Sequence, residues 1–172
     1  MADTAAADRR RIAVHEAAHA VVAVQLGLSV RYVTIRSTEW WTHRGVNGCL
    51  ETEYLSSLGH AMVTWPGIDV DLEPWCLMLL AASAAERRQF GESKFDSDDM
   101  RQARHIVGLD LFDLTHCRKP TEQQIDVGMR PYYAKSARLV FEHWEWIRRV
   151  AKELDRMTGL LSDEIRALKQ AA

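Results

Sequence analysis

From Asp8 to Leu26 the chain is apolar nearly all round, through Ile12, Ala13, Val14, Ala17, Ala18, Ala20, Val21, Val22, Ala23, Val24 and Leu26. A helix of that kind is buried, and Gly27 is a good stop for it. Val30 to Arg36 is β-branched and alternating, which predicts a strand. Ser37 to Arg44 reads as an aromatic-rich loop. Gly45 to Glu53 reads as a second short strand, with glycines that suggest an edge or a bulge. Leu55 to Asp71, with Pro66 and Gly67, reads as irregular, either a flap over a site or a plain connection. Helical patterning returns over Glu73 to Phe90, apolar early and charged late, and over Asp98 to Leu114. A capping box, Thr121-x-x-Gln124, opens the next helix, which Pro131 is expected to break or bend. Tyr132 to Met157 reads as a long amphipathic helix stopped by Gly159, and Ser162 as the cap of a last short helix ending near Gln170. Residues 1–7 are small and polar and are expected to fray into disorder. The predicted class is mainly α (α+β), with a small sheet or hairpin after the first helix, in a single domain over residues 1–172.

Composition narrows the function classes. The apolar fraction, 47%, is ample for a core, and a net charge of −2 gives no basic surplus for bulk nucleic-acid binding. Cys49, Cys76 and Cys117 are odd in number and form no C-x-x-C pair, which points to a reducing, cytoplasmic setting. Met1 to Arg11 does not read as a signal peptide. No segment reaches the roughly 20 apolar residues that span a bilayer. There is no G-x-x-x-x-G-K phosphate loop.

The first helix also carries the candidate chemistry. Val14-His15-Glu16-Ala17-Ala18-His19-Ala20 contains H-E-x-x-H. Histidines four apart on a helix share a face, with Cβ atoms about 5–6 Å apart, so both imidazoles can reach one ion at Zn–N distances of roughly 2.0–2.1 Å. Glu16 is rotated about 100° from His15. That puts it beside a metal rather than on it, where it can act as a general base on water. In so apolar a helix, two histidines and a glutamate are costly to bury unless something such as a divalent ion satisfies them. A catalytic site needs a third protein ligand. His43, His60, His105, His116 and His143 are candidates, as are carboxylates on a neighbouring helix. No histidine follows within residues 20–30, which excludes the H-x-x-G-x-x-H layout and favours a carboxylate. Ser97 reads as an N-cap that places Asp98 and Asp99 in a first helical turn, where they are either ligands or capping charges.

Three segments, in order, resemble the peptidase domain of the FtsH-type ATP-dependent zinc metalloproteases. Val14 to Val22 is similar to that family's HEAGHAVV. Leu79 to Glu86, leading to Phe90-Gly91-Glu92, is similar to LLGGRAAEE…FGE, and Ser97 to Ala103 to SNDLxxA. The tail from Leu154 to Leu168 resembles the family's closing helices. The resemblance implies a helical zincin-type fold, a zinc ion (Zn2+) held by His15, His19 and Asp99, and Glu16 as catalytic base. The chain departs from the family pattern at Ala18, Ala81-Ala82 and Ser83, where the family has glycine, two glycines and arginine. Residues 36–74 match poorly, so substrate preference does not carry over.

The resemblance thus implies a zinc metalloendopeptidase acting on unfolded or flexible polypeptides. It reads as the peptidase domain standing alone, with a separate ATPase as a candidate partner and a hexamer as the implied homo-oligomer. The second strand is a candidate edge for an extended substrate. Trp40, Trp41 and Trp65 line a groove or plug a core, and Glu86 is either a hydrogen-bond partner of a ligand histidine or an exposed ion-pair partner. Two rival readings stay open. One is a non-catalytic or regulatory zinc-binding module acting through a partner. The other is hydrolysis of a small amide.

Overall fold

The computed structural model describes residues 2–35, 40–44, 50–54, 60–63, 71–94, 97–112 and 118–170. The first helix, α1, runs over Ala2–Gln25. It begins six residues before the expected start because Ala2 to Ala7 is rich in alanine, the best helix former. It ends as a Schellman turn. Gly27 takes φ 77°, its N–H bonds the Val24 carbonyl at 3.1 Å, and the Leu28 N–H bonds the Ala23 carbonyl at 2.9 Å. Ala13, Ala17, Ala18, Ala20 and Ala23 are fully buried, so neighbouring elements approach α1 closely.

Strand β1 (Val30–Thr34) follows, then a hairpin of β2 (Trp40–Arg44) and β3 (Leu50–Tyr54), then β4 (His60–Val63). The hairpin is antiparallel, with Trp40 opposite Tyr54 and Thr42 opposite Thr52. Trp40–Arg44, within the stretch expected as an aromatic loop, is therefore a strand: Trp and Thr suit a pleated backbone wherever a partner strand is at hand. β4 lies inside the span expected to be irregular. Four residues paired to β1 are too few for a period to show. The remainder of the flap reading, at 55–59 and 64–70, lies outside the described residues, as do Trp65, Cys49, Cys117, His116 and the side chains of Trp40, Trp41, His43 and His60.

The later half is helical: α2 (Glu73–Phe90), α3 (Ser97–Asp110), α4 (Glu122–Glu142), α5 (Trp144–Met157), the short strand β5 (Gly159–Leu161) and α6 (Ser162–Gln170). α2 has the expected bounds. Pro74 sits in its first turn, and Gly91 closes it at φ 82°, its N–H bonded to the Arg87 carbonyl. The Thr121–Gln124 capping box opens α4, with Thr121 N–H on Gln124 Oε1 at 2.8 Å. Pro131 does not break α4. The carbonyl it deprives of a donor belongs to Val127, which faces solvent where water can satisfy it. The break comes instead at His143, which ends α4 and begins α5. Thr158, not Gly159, takes the left-handed cap of α5 at φ 67°. Its carbonyl accepts from the Ile35 N–H at 2.9 Å and from Thr34 Oγ1 at 2.8 Å, which fixes the turn against β1. Ser162 Oγ makes no hydrogen bond among the described residues. Ser162 is the first residue of α6, and the Glu164 carboxylate in its first turn accepts from the Leu161 N–H at 2.7 Å.

The class is mainly helical with a small β component. Three strands form one antiparallel sheet in the order β4-β1-β5, and β2-β3 forms a second. Val30, Tyr32, Val33 and Thr34 are all buried, so central β1 lacks the polar face an alternating strand would show. α1 packs between α2 and α5 and against β1 and β4, while α2 also packs on α3 and α4. Ser136 Oγ donates to the Leu77 carbonyl at 2.9 Å, pinning α4 to α2, and Trp146 Nε1 donates to the Ile165 carbonyl at 2.8 Å, pinning α6 to α5. One apolar cluster takes in residues from all six helices. Among the described residues no helix is long and apolar enough to cross a membrane.

Candidate metal centre

Three helices meet at the H-E-x-x-H motif. α1 supplies His15 and His19, both nearly buried, and α3 supplies Asp99 in its first turn. His15 Nε2 and His19 Nε2 are 3.1 Å apart, and each is 3.1 Å from Asp99 Oδ2. The outer nitrogens are engaged. His15 Nδ1–H donates to Glu86 Oε1 at 2.7 Å, and His19 Nδ1–H donates to the Met78 carbonyl at 3.0 Å, both partners on α2. With an ion bound and each remaining proton on Nδ1, the two Nε2 lone pairs and Asp99 Oδ2 would face a single point. A tetrahedral ion with ligand bonds of roughly 2.0–2.1 Å needs donor atoms roughly 3.3 Å apart, so the triangle has the edge such an ion requires. His, His and carboxylate are also a donor set that zinc takes in catalytic sites. Among the described residues, His15, His19 and Asp99 form the one group of this kind.

Asp98, the neighbour weighed for the same role, points out to solvent and pairs with Arg101 Nη2 at 3.2 Å. His105 is exposed on α3, and His143 lies at the α4–α5 break, so neither joins the cluster. Glu86 is resolved in favour of the histidine. It is fully buried and accepts from His15, from the Lys94 N–H at 2.9 Å and from Arg11 Nη1 at 3.3 Å. Arg11 was not singled out in the sequence. It also donates to the Glu92 carbonyl at 3.1 Å, and its guanidinium lies 4.5 Å from the centre of the Phe90 ring. Its spacing was the available signal: Arg11, His15 and His19 share one helix face at i, i+4 and i+8. Ala18, Ala81, Ala82 and Ser83, the departures from the resembled pattern, are all buried and accommodated, with Ser83 Oγ on the Leu80 carbonyl at 3.4 Å.

The electrostatics follow from burial among close partners. Burial works against a charged His15, but the hydrogen bonds to Asp99 and Glu86 outweigh it and lift the imidazole to about 10. His19 is raised as well, the Asp99 carboxylate overcoming burial. Burial would push Asp99 and Glu86 up, yet the histidines hold Asp99 well below the usual carboxylate range, and the donors on Glu86 hold it low too. These two carboxylates thus stay ionised while the ring nitrogens keep them company. Glu16 goes the other way. Burial dominates and raises it, with the charges of His15 and His19 and a hydrogen bond from the Ala61 N–H acting against the rise.

That Ala61 contact places β4 beside Glu16. The strand in contact with the cluster is β4, while Leu50 to Glu53, within the span expected as the substrate edge, pairs in the separate β2–β3 sheet. Among the described residues β4 is paired on one side only, to β1. No known family model matches the chain, and no curated protein matches it.

Proposed function

We propose that the chain is a zinc-dependent endopeptidase of the FtsH type, cleaving flexible polypeptides. The observation that carries this reading is the triangle of Nε2, Nε2 and Oδ2 atoms 3.1 Å on edge, with both Nδ1 atoms tied to fixed acceptors. His15, His19 and Asp99 would hold the ion. When bound, zinc supplies a Lewis acid that lowers the pKa of water and polarises a carbonyl. Glu16 takes the proton of the attacking water on its carboxylate and passes it to the departing amine. Burial raises the pKa of Glu16, which makes its carboxylate the better able to keep a proton between taking it and passing it on. Glu86 and the Met78 carbonyl keep the two imidazoles in the tautomer that leaves Nε2 free. The outer edge of β4 offers main-chain groups to an extended polypeptide next to Glu16, a mode of binding that tolerates many sequences.

The test is metal content and cleavage of casein by the purified chain beside Glu16→Gln. One zinc per chain, with cleavage abolished in the variant and zinc kept, supports the peptidase. Full zinc without cleavage of any flexible substrate favours the non-catalytic module, for which a base at position 16 has no use.

A further inference from the structure

Trp75 lies in the first turn of α2, one turn before Met78, whose carbonyl holds His19. Gln102 lies on α3 one turn beyond Asp99. Between these helices is a cavity of about 450 Å³ lined by Trp75, Arg101, Gln102, His105 and Ile106. One wall thus begins one helical turn from Asp99, and the other one turn from the residue whose carbonyl holds His19. The half-buried Trp75 and the buried Ile106 supply its apolar lining, while Arg101, Gln102 and His105 are exposed. Apolar walls with a few polar groups are the general make-up of a ligand pocket. Nothing in the metal chemistry uses these five residues.

Resting on the peptidase reading, we infer that this cavity receives one large apolar side chain, aromatic or long aliphatic, of the polypeptide held at the cluster. Lysine or arginine gains little there, because its charge would leave water for an apolar wall beside an Arg101 already paired with Asp98. His105, passed over as a ligand, finds its place in this wall.

The probes are four short peptide hydroxamates that differ in one side chain, that of Phe, Leu, Ala or Lys, titrated into the zinc-loaded chain by calorimetry. The Phe and Leu compounds should bind at least roughly tenfold tighter than the Ala compound, and the Lys compound no tighter than Ala. Gln102→Trp, which fills the cavity, should remove most of that advantage. Arg101→Glu, a change on an exposed side chain, should strengthen the Lys compound by about fivefold. Equal binding of all four compounds, binding of none, or rankings unmoved in both variants would overturn the inference. Cleavage is read separately. A ranking without cleavage of any polypeptide keeps the cavity and removes the peptidase, while cleavage without a ranking does the reverse.

Discussion

Glu86→Gln changes the charge of one buried side chain and almost nothing of its shape. Glu86 meets three donors: His15 Nδ1 at 2.7 Å, the Lys94 N–H at 2.9 Å and Arg11 Nη1 at 3.3 Å. A glutamine offers one acceptor oxygen and one NH2. With its oxygen towards His15, the NH2 faces two donors, Lys94 N–H and Arg11. With the oxygen turned the other way, the NH2 faces His15 Nδ1. That nitrogen must then accept, so the proton moves to Nε2, where it blocks ligation. Either orientation also leaves Arg11 without its buried counter-charge. Removing one partner of a buried ion pair costs about 3–5 kcal/mol. Arg11 keeps its bond to the Glu92 carbonyl, which places the loss at the lower end. For a chain of this size, about 3 kcal/mol lowers the melting temperature by roughly 6–12 °C. Zinc affinity should fall by about 10- to 100-fold, the usual effect of losing the partner of a ligand histidine. Thermal melts in chelator, with a zinc competition titration against a chromophoric chelator, read both numbers. A variant that melts within a degree or two of the parent and binds zinc equally well would refute the hydrogen-bond reasoning outright.

Other outcomes follow from the same site and its supports. Glu16→Gln should keep zinc and lower cleavage by about 10²- to 10⁴-fold, the range for a general base, with turnover of a quenched fluorescent peptide as the readout. Asp99→Ala should lose or weaken zinc while Asp98→Ala leaves it intact, measured as metal per chain after dialysis. In chelator, the raised His15 contributes stability that is fully present below its ordinary 6.5 and is lost as pH rises through about 10. Asp99, depressed from 3.8, contributes above that value and loses its contribution on further acidification. Zinc-loaded chain needs both imidazoles neutral, so the gap in melting temperature between loaded and chelated protein should widen from pH 6 to pH 9. A gap that narrows would contradict the assignment. Thr158→Gly, at φ 67°, should raise stability by about 1 kcal/mol, seen in urea unfolding, because a β-branched residue is strained there.

The parts of this molecule legible from sequence are those set by local chemistry. Gly91 ends α2, and the Thr121–Gln124 box opens α4, since each acts within a few residues of itself. The i, i+4 histidines lie together on α1 because a helix puts them there whatever surrounds it. Elements defined by a distant partner did not show. β4 and β5 are short and exist by pairing with β1, and β2 needs β3. Pro131 is tolerated inside α4 where Val127, whose carbonyl loses its donor, is an exposed residue, and exposure is a tertiary property. At the candidate site the direct donors could be read or carried over by resemblance. The Met78 carbonyl and the Ala61 and Lys94 N–H groups could not, because backbone atoms carry no residue signature. Arg11 was readable on its face of the helix and passed over among three consecutive arginines.

The three donor atoms come from positions 15, 19 and 99, with the carboxylate 80 residues beyond the second imidazole. At roughly 5–20 residues per second, a ribosome takes about 4–16 s to travel between them. During that interval a nascent chain holds both histidines and neither of the carboxylates that engage them, since Glu86 and Asp99 are still unmade or inside the exit tunnel. The cluster is assembled only when α3 docks against a completed α1–α2 pair. Until Asp99 has left the tunnel, a nascent chain lacks one corner of the triangle, so on the proposed reading an ion could be held only once the first hundred residues have folded.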